Sequence, residues 1–316
     1  MIKRVVGIES TCELSVAYGQ LKVRRGGEAV GSVPIEDLGV LVLDHTASIL
    51  TVPLLAALTE AGVAVVVCDE KHFPCGLLTP IAGNYAHGTV LRDQVAMTEP
   101  QKKRIWQSIV VAKIEAQADL LRFFGLPDLK VRSLAGRVLS GDTGNAEGLA
   151  ASFYFDALFG SDFVREAPGG PGLNAWLNYG YAVMRAAVGR AICGAGLHPA
   201  LGLYHGSRFN AFGLADDLME PLRPLVDSVA FRALKTGEVG DDLTPGAKRQ
   251  LLAVLTSRVR FGGRAYPLLT VLSLYAAHYR DCVEGQKRKM RCPVIDYDRL
   301  FVEDGSETGI SDGEAG

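Results

Sequence analysis

The hydrophobic pattern of this chain changes once along its length, and the change restricts the fold to two unlike parts. In roughly the first 80 residues, short runs of β-branched residues are separated by turn residues, as in strands. Only the segment 49–61 has helical spacing there. From Gln101 onward, apolar residues recur with the 3.6-residue period of helices, and Gly125 with Pro127 ends the first of them. The pattern predicts an α+β fold: a small, mostly β domain of five or six strands and one helix, followed by an all-α domain.

The expected boundaries are an N-terminal β-rich domain at 1–75, a linker rich in Gly and Pro at 76–100, a helical domain at 101–300 and an acidic tail at 301–316. One alternative for the first domain is half of a Rossmann fold, because a helix followed by VAVVVCD is typical of a parallel strand. No G-x-G-x-x-G motif follows any strand, which counts against it. The strand-like runs are 4–9, 13–19, 27–33, 39–44 and 62–69. Further helices are predicted at 145–159, 173–194, 208–233, 245–257 and 267–284.

Several classes of protein are disfavoured by composition. The six cysteines are scattered and include no C-x-x-C pair, so neither a zinc knuckle nor a disulfide framework is expected. No apolar run reaches the ~18 residues of a membrane-spanning helix, and the N-terminus does not resemble a signal peptide. We therefore expect a soluble, cytoplasmic protein with no membrane partner. The tail is predicted to be disordered.

The segment 204–227, YHGSRFNAFGLADDLMEPLRPLVD, holds the most informative polar residues. It places one imidazole, that of His205, 15 residues before the carboxylate of Glu220. Upstream, Glu147 in NAEG offers another carboxylate near a helix N-terminus, where the macrodipole also favours an acid. Carboxylates with at most one imidazole are what Mg²⁺ or Mn²⁺ select, whereas zinc more often recruits several His or Cys. A hard ion of this kind suits phosphodiester chemistry.

The spacing of the acids allows two interpretations. Asp216 and Asp217 precede Glu220 by four and three residues, so on a helix their like charges repel by about 0.2–0.5 kcal/mol per pair. In one interpretation, Arg223 neutralises Glu220 as an ordinary i,i+3 salt bridge. In the other interpretation, Glu147, His205 and Glu220 hold a divalent cation. Pro221, directly after Glu220, is expected to bend the helix at this point.

The distribution of charge permits a nucleic-acid partner despite the net charge of −2. Five acids and no Lys or Arg lie in 302–316, so the remaining residues carry a net charge of +3. Basic clusters lie at 22–25, 102–104 and 287–291, and together they allow a DNA-binding surface. The residues predicted to hold DNA phosphates are Arg92, Lys102, Lys103, Arg104, Arg208, Arg223, Lys248 and Arg249.

Five sequence blocks resemble one family. They are NYAHGTVLRDQ (84–94), WQSIVVAKIEAQADLL (106–121), NAEG (145–148), NAWLNYGYAV (174–183) and LGLYHGSRFNAFGLADDLMEPLRPLVD (201–227). With these blocks the chain resembles the CRISPR-associated adaptation integrase, the endonuclease that inserts new spacers, over roughly residues 1–295. Its length and its NAEG and NYAHG blocks are most similar to the type II form.

The resemblance implies a β-sandwich N-terminal domain and an α-helical catalytic domain. It implies that Glu147, His205 and Glu220 are catalytic ligands of Mg²⁺ or Mn²⁺, with Asp217 as a further acid at the metal. The sequence leaves open which of Asp216 and Asp217 faces that metal. The resemblance also implies a homodimer that flanks a small ferredoxin-like partner, the second CRISPR-associated adaptation protein. Together the two proteins would grip a DNA prespacer duplex.

The expected reaction is a metal-assisted transesterification, in which a DNA 3′-hydroxyl attacks a phosphodiester of the CRISPR repeat. Two other functions remain open from the residues alone. The same ligands could serve a metal-dependent phosphoesterase that acts on a small nucleotide. Alternatively, the chain could be a DNA-binding or scaffold module whose acids are bridged by Arg208 and Arg223.

Overall fold

The β-branched runs of the first part of the chain form two four-stranded sheets. The computed structural model describes residues 3–78, 80, 84–166, 169–205 and 209–300, so Arg208 and the predicted tail lie outside the described residues. The first sheet has the order β1-β5-β7-β8 and the second the order β4-β3-β2-β6. The strands are β1 (Arg4–Ile8), β2 (Glu13–Ala17), β3 (Gln20–Arg25), β4 (Glu28–Pro34), β5 (Leu38–Leu43), β6 (Ile49–Leu50), β7 (Ala64–Cys68) and β8 (Pro74–Leu78).

The two sheets enclose one apolar core, which makes this part a β-sandwich. Leu14 and Leu21 of one sheet and Leu41 of the other are almost fully buried in it. Helix α1 (Val52–Glu60) adds Leu54 and connects β6 to β7. Strand β5 pairs in parallel with both β1 and β7, which explains its almost uninterrupted apolar sequence. The parallel strand after a helix is therefore present, but within a sandwich.

The rest of the described chain is mostly helical, as the 3.6-residue period predicts. Helices α3 and α6 are the longest and carry much of a second, larger core. The helices are α2 (His87–Val95), α3 (Glu99–Phe123), α4 (Leu129–Ala135), α5 (Ala146–Phe159), α6 (Leu173–Gly194), α7 (Gly213–Met219), α8 (Arg223–Thr236), α9 (Pro245–Ala253), α10 (Leu268–Val283) and α11 (Tyr297–Leu300).

Three features differ in detail from the sequence prediction. The helix expected over 208–233 is divided into α7 and α8 by a 3-10 turn, Glu220–Leu222, because Pro221 lacks the N–H that a continuous α-helix requires. The region expected to be entirely helical also contains a three-stranded sheet, β10-β9-β11. The stretch expected to be a linker, 76–100, includes the end of β8 and all of α2. The added strands are β9 (Arg258–Phe261), β10 (Arg264–Pro267) and β11 (Val294–Ile295).

A buried ion pair connects the sandwich to the helices. Lys248 Nζ on α9 lies 2.6 Å from Asp44 Oδ2, directly after β5, and the two side chains are only 6% and 5% exposed. His72 Nδ1 lies 3.1 Å from the other oxygen of Asp44.

Among the described helices, none is both long and apolar enough to cross a bilayer.

Candidate functional site

The buried face of helix α3 contacts each of the three predicted ligands. A capping box of Thr98 and Gln101 starts the helix. Trp106 and Lys113 lie two turns apart on its buried face, and both are almost fully enclosed. The Trp106 ring stacks on that of Tyr204 with centroids 4.8 Å apart, and the edge of the His205 ring packs against it. One helix face therefore contacts the loop that carries the predicted imidazole.

Lys113 brings together two of the three predicted ligands. Its ammonium forms an ion pair with the carboxylate of Glu147 and lies 2.5 Å from Glu220 Oε2. The side chain of Glu220 is 4% exposed and that of Glu147 is 21% exposed. Two acids that are distant in sequence thus share one cation at the same place. Sequence reasoning missed Lys113, because nothing local to α3 indicates that its ammonium is the shared counter-ion of these two acids.

A second cation holds the other oxygen of Glu220. Arg223 Nε donates to Glu220 Oε1 at 2.9 Å, and its guanidinium lies over the Tyr181 ring at 4.6 Å. Burial raises the pKa of Glu220, but Arg223 and Lys113 outweigh it and lower that pKa to about 2. Burial also opposes the charge on Lys113, yet Glu220 and Glu147 raise the pKa of its ammonium. The i,i+3 salt bridge considered from the sequence is therefore present, together with a longer-range pair to Lys113.

Asp217 fixes the orientation of His205. The Nδ1 atom of His205 lies 2.7 Å from Asp217 Oδ1. An ionised carboxylate can accept a hydrogen bond but cannot donate one, so Nδ1 carries the proton. In the neutral ring, the lone pair then resides on Nε2. The hydrogen bond to Asp217 raises the pKa of His205 above its ordinary value, against burial, which lowers it.

The backbone around His205 is fastened to the same carboxylate. The N–H groups of Leu203, Tyr204 and His205 all donate to Asp217, whose side chain is fully buried. A Cβ at Gly213 would collide with the carbonyl of His205, so only glycine allows α7 to approach the loop this closely. With both oxygens of Asp217 occupied, the geometry favours a positioning role and gives no support to the predicted role at the metal. Asp216 instead contacts Arg185 and Asn210.

The first turn of α5 is held by another carboxylate. Asp142 accepts from the N–H of Ala146 at 2.9 Å and from that of Glu147 at 3.0 Å. Asn145 precedes the helix with a left-handed φ of 51°, which asparagine tolerates better than most residues. These contacts fix the backbone from which Glu147 reaches Lys113.

The donor set suits a hard divalent ion in its chemistry. Glu147 and Glu220 share one cation, the ammonium of Lys113, and His205 would offer Nε2 in its neutral form. Over the described residues, no three His, Cys, Asp or Glu side chains already converge closely enough to hold a metal ion. Lys113 therefore stands where a metal shared by the two carboxylates would be expected.

The residues predicted to bind DNA differ in their availability. Arg92, Lys103, Arg104 and Arg249 are exposed. Lys102 is half-buried and lies 3.1 Å from Glu99. Arg223 and Lys248 are engaged by Glu220 and Asp44, so the geometry argues against phosphate contacts there. Arg208 is outside the described residues.

Comparison with known proteins identifies the family. The profile of the family described as CRISPR associated protein Cas1 matches residues 6–138 and 143–258. The chain belongs to the Cas1 family. It is similar to the CRISPR-associated endonuclease Cas1 of Neisseria meningitidis, with 38% identity over 298 residues that cover 93% of this chain and 97% of that protein.

Two solved structures resemble the fold. A casposase bound to an integration product aligns with a TM-score of 0.70 at 18% identity, covering 92% of both chains. A chain of a Cas6-RT-Cas1–Cas2 complex aligns with a TM-score of 0.71 at 18% identity, covering 91% of this chain and 36% of that one. The predictions of a Cas1-type endonuclease and of the fold class are confirmed. The β-sandwich and the helices around Lys113 are thus those of a Cas1 protein.

Proposed function

We propose that this Cas1 protein joins DNA 3′-ends to the CRISPR repeat, with Glu147, His205 and Glu220 as its catalytic metal ligands. The observation that supports this most is the convergence of Glu147 and Glu220 on one cationic centre, Lys113 Nζ. Folding does not require two carboxylates from different helices to share a cation in a buried place, because desolvating the charges there is costly. Binding of a divalent ion, in contrast, requires carboxylates that converge on one point.

Bound Mg²⁺ or Mn²⁺ would supply Lewis-acid activation of the attacking hydroxyl and of the phosphate. The chain's own residues prepare the ligands. Arg223 keeps Glu220 ionised in its buried place, and Asp217 holds His205 with Nε2 as the acceptor nitrogen. Until a divalent ion takes its place, the ammonium of Lys113 balances the charge of both carboxylates. No covalent intermediate on the protein is required.

We propose a short DNA duplex and the CRISPR repeat as the nucleic-acid partners. The exposed residues Arg92, Lys103, Arg104 and Arg249 support backbone contacts, since each such contact neutralises a phosphate. We further propose a homodimer that flanks a small ferredoxin-like partner, the second CRISPR-associated adaptation protein. Support for the partner comes from the name of the similar complex, which includes Cas2.

The test uses a duplex with 3′-hydroxyl ends and a supercoiled plasmid that carries the repeat, with Mg²⁺ or Mn²⁺ and with the partner protein added. Joined product is expected from hydroxyl ends and not from dideoxy ends, which lack the attacking oxygen. Plasmid nicking that is equal with both kinds of end would indicate hydrolysis alone. Release of product from a small nucleotide ester without binding of DNA would favour the phosphoesterase alternative.

A further inference from the structure

An exposed groove lined mainly by basic residues lies beside the three-stranded sheet β10-β9-β11. Two adjoining cavities of about 430 and 640 Å³ form it and share Arg291 as a lining residue. The turn of the β9–β10 hairpin lines one side, where the Arg291 guanidinium lies against Gly262. Seven exposed cations belong to the hairpin and the segment that faces it: Arg258, Arg260, Arg264, Lys287, Arg288, Lys289 and Arg291.

The groove lies beside the point where the described chain ends. Cys292 Sγ contacts the carbonyl of Ser108 at 3.6 Å, which places the groove along α3 at that residue. The hydroxyl of Tyr297, in α11, donates to the carbonyl of Ala116 on the same helix at 3.1 Å. Ser108 and Ala116 are separated by about 12 Å along the helix axis, at a rise of about 1.5 Å per residue. The segment that follows α11 therefore begins close to the groove.

That segment has the complementary charge. Residues 302–316 contain five acids and no Lys or Arg. A flexible chain of this length has a root-mean-square span of about 20–23 Å, which exceeds the distance along α3. A tether that spans its site comfortably gives an effective concentration on the order of millimolar. Exposed ion pairs that are weak one by one can then act together.

We propose that the basic groove is the docking surface of the chain's own acidic segment, 302–316. The docked segment covers the cations of the groove and withholds them from other polyanions. Because the pairs are exposed, salt screens them, and the segment leaves the groove at high ionic strength. This docking requires neither the metal nor the joining reaction of the proposed function.

Zero-length carbodiimide crosslinking of the full chain tests the proposal, since it joins a lysine to a carboxylate in contact with it. We expect crosslinks from Lys287 or Lys289 to acids of 302–316 in dilute buffer, lost at about 1 M salt, where the Debye length is about 3 Å. The Lys102–Glu99 pair, 3.1 Å apart, is the internal positive control. Exposed Lys71 is the negative control, and equal crosslinking of the segment to Lys71 would overturn the proposal.

A matched pair of variants separates docking from chance collisions. R288Q/R291Q removes charge from the groove without removing a lysine, and we expect at least a threefold lower crosslink yield. R24Q/R137Q, which also removes two exposed positive charges but far from this segment in sequence, is expected to leave the yield unchanged. Equal yields in the two variants would overturn the proposal.

Two other occupants of the groove remain distinguishable. Mixing isotopically heavy and light chains shows whether the segment reaches its own groove or that of a second copy, and crosslinks mainly between copies would overturn docking in cis. If no segment crosslinks form and an added DNA duplex protects Lys287 and Lys289 from acetylation, the groove binds nucleic acid instead. That result would also overturn the proposal. Failure of the joining assay would leave these results unaffected.

Discussion

Lys113 and Glu220 form a buried ion pair, 2.5 Å from Nζ to Oε2, and the same ammonium contacts Glu147. The pair joins the middle of α3 to the turn between α7 and α8. Both side chains are almost fully buried, so their charges depend on the ion pairs around them, with Arg223 as the second partner of Glu220. The ammonium of Lys113 therefore lies at the candidate metal position.

Replacement of Lys113 by methionine should destabilise the metal-free protein by about 1–3 kcal/mol, because Glu220 Oε2 loses its charged partner while Arg223 still holds Oε1. The same replacement should increase the stabilisation by Mg²⁺ or Mn²⁺, because a divalent ion can then replace the lost ammonium. Thermal melts with and without each ion measure both effects. Lys102→Met, which removes a more exposed pair, is the control and should cost at most about 1 kcal/mol. An identical metal response in K113M and the wild type would contradict the shared position.

Replacement of Asp217 by asparagine should weaken Mn²⁺ binding by about 10–100-fold, as expected when the residue that orients a histidine ligand is lost. Metal binding needs the neutral imidazole, so it should weaken as pH falls through the raised pKa of His205. In D217N that pKa should fall and the binding midpoint should move to lower pH. Calorimetric titration at several pH values measures it. Asp216→Asn is the control and should move the midpoint less, so an equal shift would count against the assigned role.

Replacement of Lys248 by methionine should cost about 3–5 kcal/mol, because the carboxylate of Asp44 is left buried between the sandwich and the helices. The double variant K248M/D44N should recover part of that loss, since it removes both charges. Arg249→Ala, at the exposed neighbouring position, should change stability by less than about 0.5 kcal/mol. Urea unfolding of the four proteins gives the comparison. If Lys248 contacts DNA, K248M will instead reduce the salt dependence of DNA binding without this loss of stability.

Asp227 should make stability fall as pH rises. Burial raises its pKa to about 6 from an ordinary value of 3.8, although hydrogen bonds from Tyr181 and Tyr154 lower it. The folded chain thus holds this proton to higher pH than the unfolded chain does. The contribution of Asp227 to the free energy of unfolding therefore falls between about pH 4 and pH 6, by up to about 3 kcal/mol.

Asp227→Asn should remove that decrease, which is measured as the difference in unfolding free energy between variant and wild type at pH 4.5 and pH 7.5. The exposed Asp156→Asn serves as the control and should follow the wild type at both pH values. A difference that does not change with pH would show that Asp227 titrates alike in the folded and unfolded chains.

Local pattern was enough to predict most of the helices. The predicted segment 173–194 coincides with α6, and 145–159 differs from α5 by one residue at its start. Strands were predicted less completely, because β6 has only two residues and β3, QLKVRR, carries three basic residues and depends on pairing with β2 and β4. The β9–β10 hairpin carries arginines at exposed positions, so its apolar alternation is weak in the sequence.

The candidate site was predictable in its acids and its histidine, but not in the residues that position them. Lys113 lies on a helix face that the period marks as buried, and nothing local indicates its partners on α5 and after α7. Arg223 and Lys248 resemble DNA-binding residues in sequence, because a basic residue looks the same whether it faces phosphate or a buried acid. Asp217 differs from Asp216 only in the direction of its side chain, which the packing of α7 against the loop decides.

The most direct test of the central claim is joining by Glu147→Gln, a substitution that keeps the size of the side chain and removes its charge. The protein must first be shown to be folded by circular dichroism and a cooperative melt. We predict no joined product from 3′-hydroxyl duplex ends and supercoiled plasmid, with Mg²⁺ or with Mn²⁺, under conditions in which the wild type joins them. Joining by folded E147Q at the wild-type rate would contradict the account.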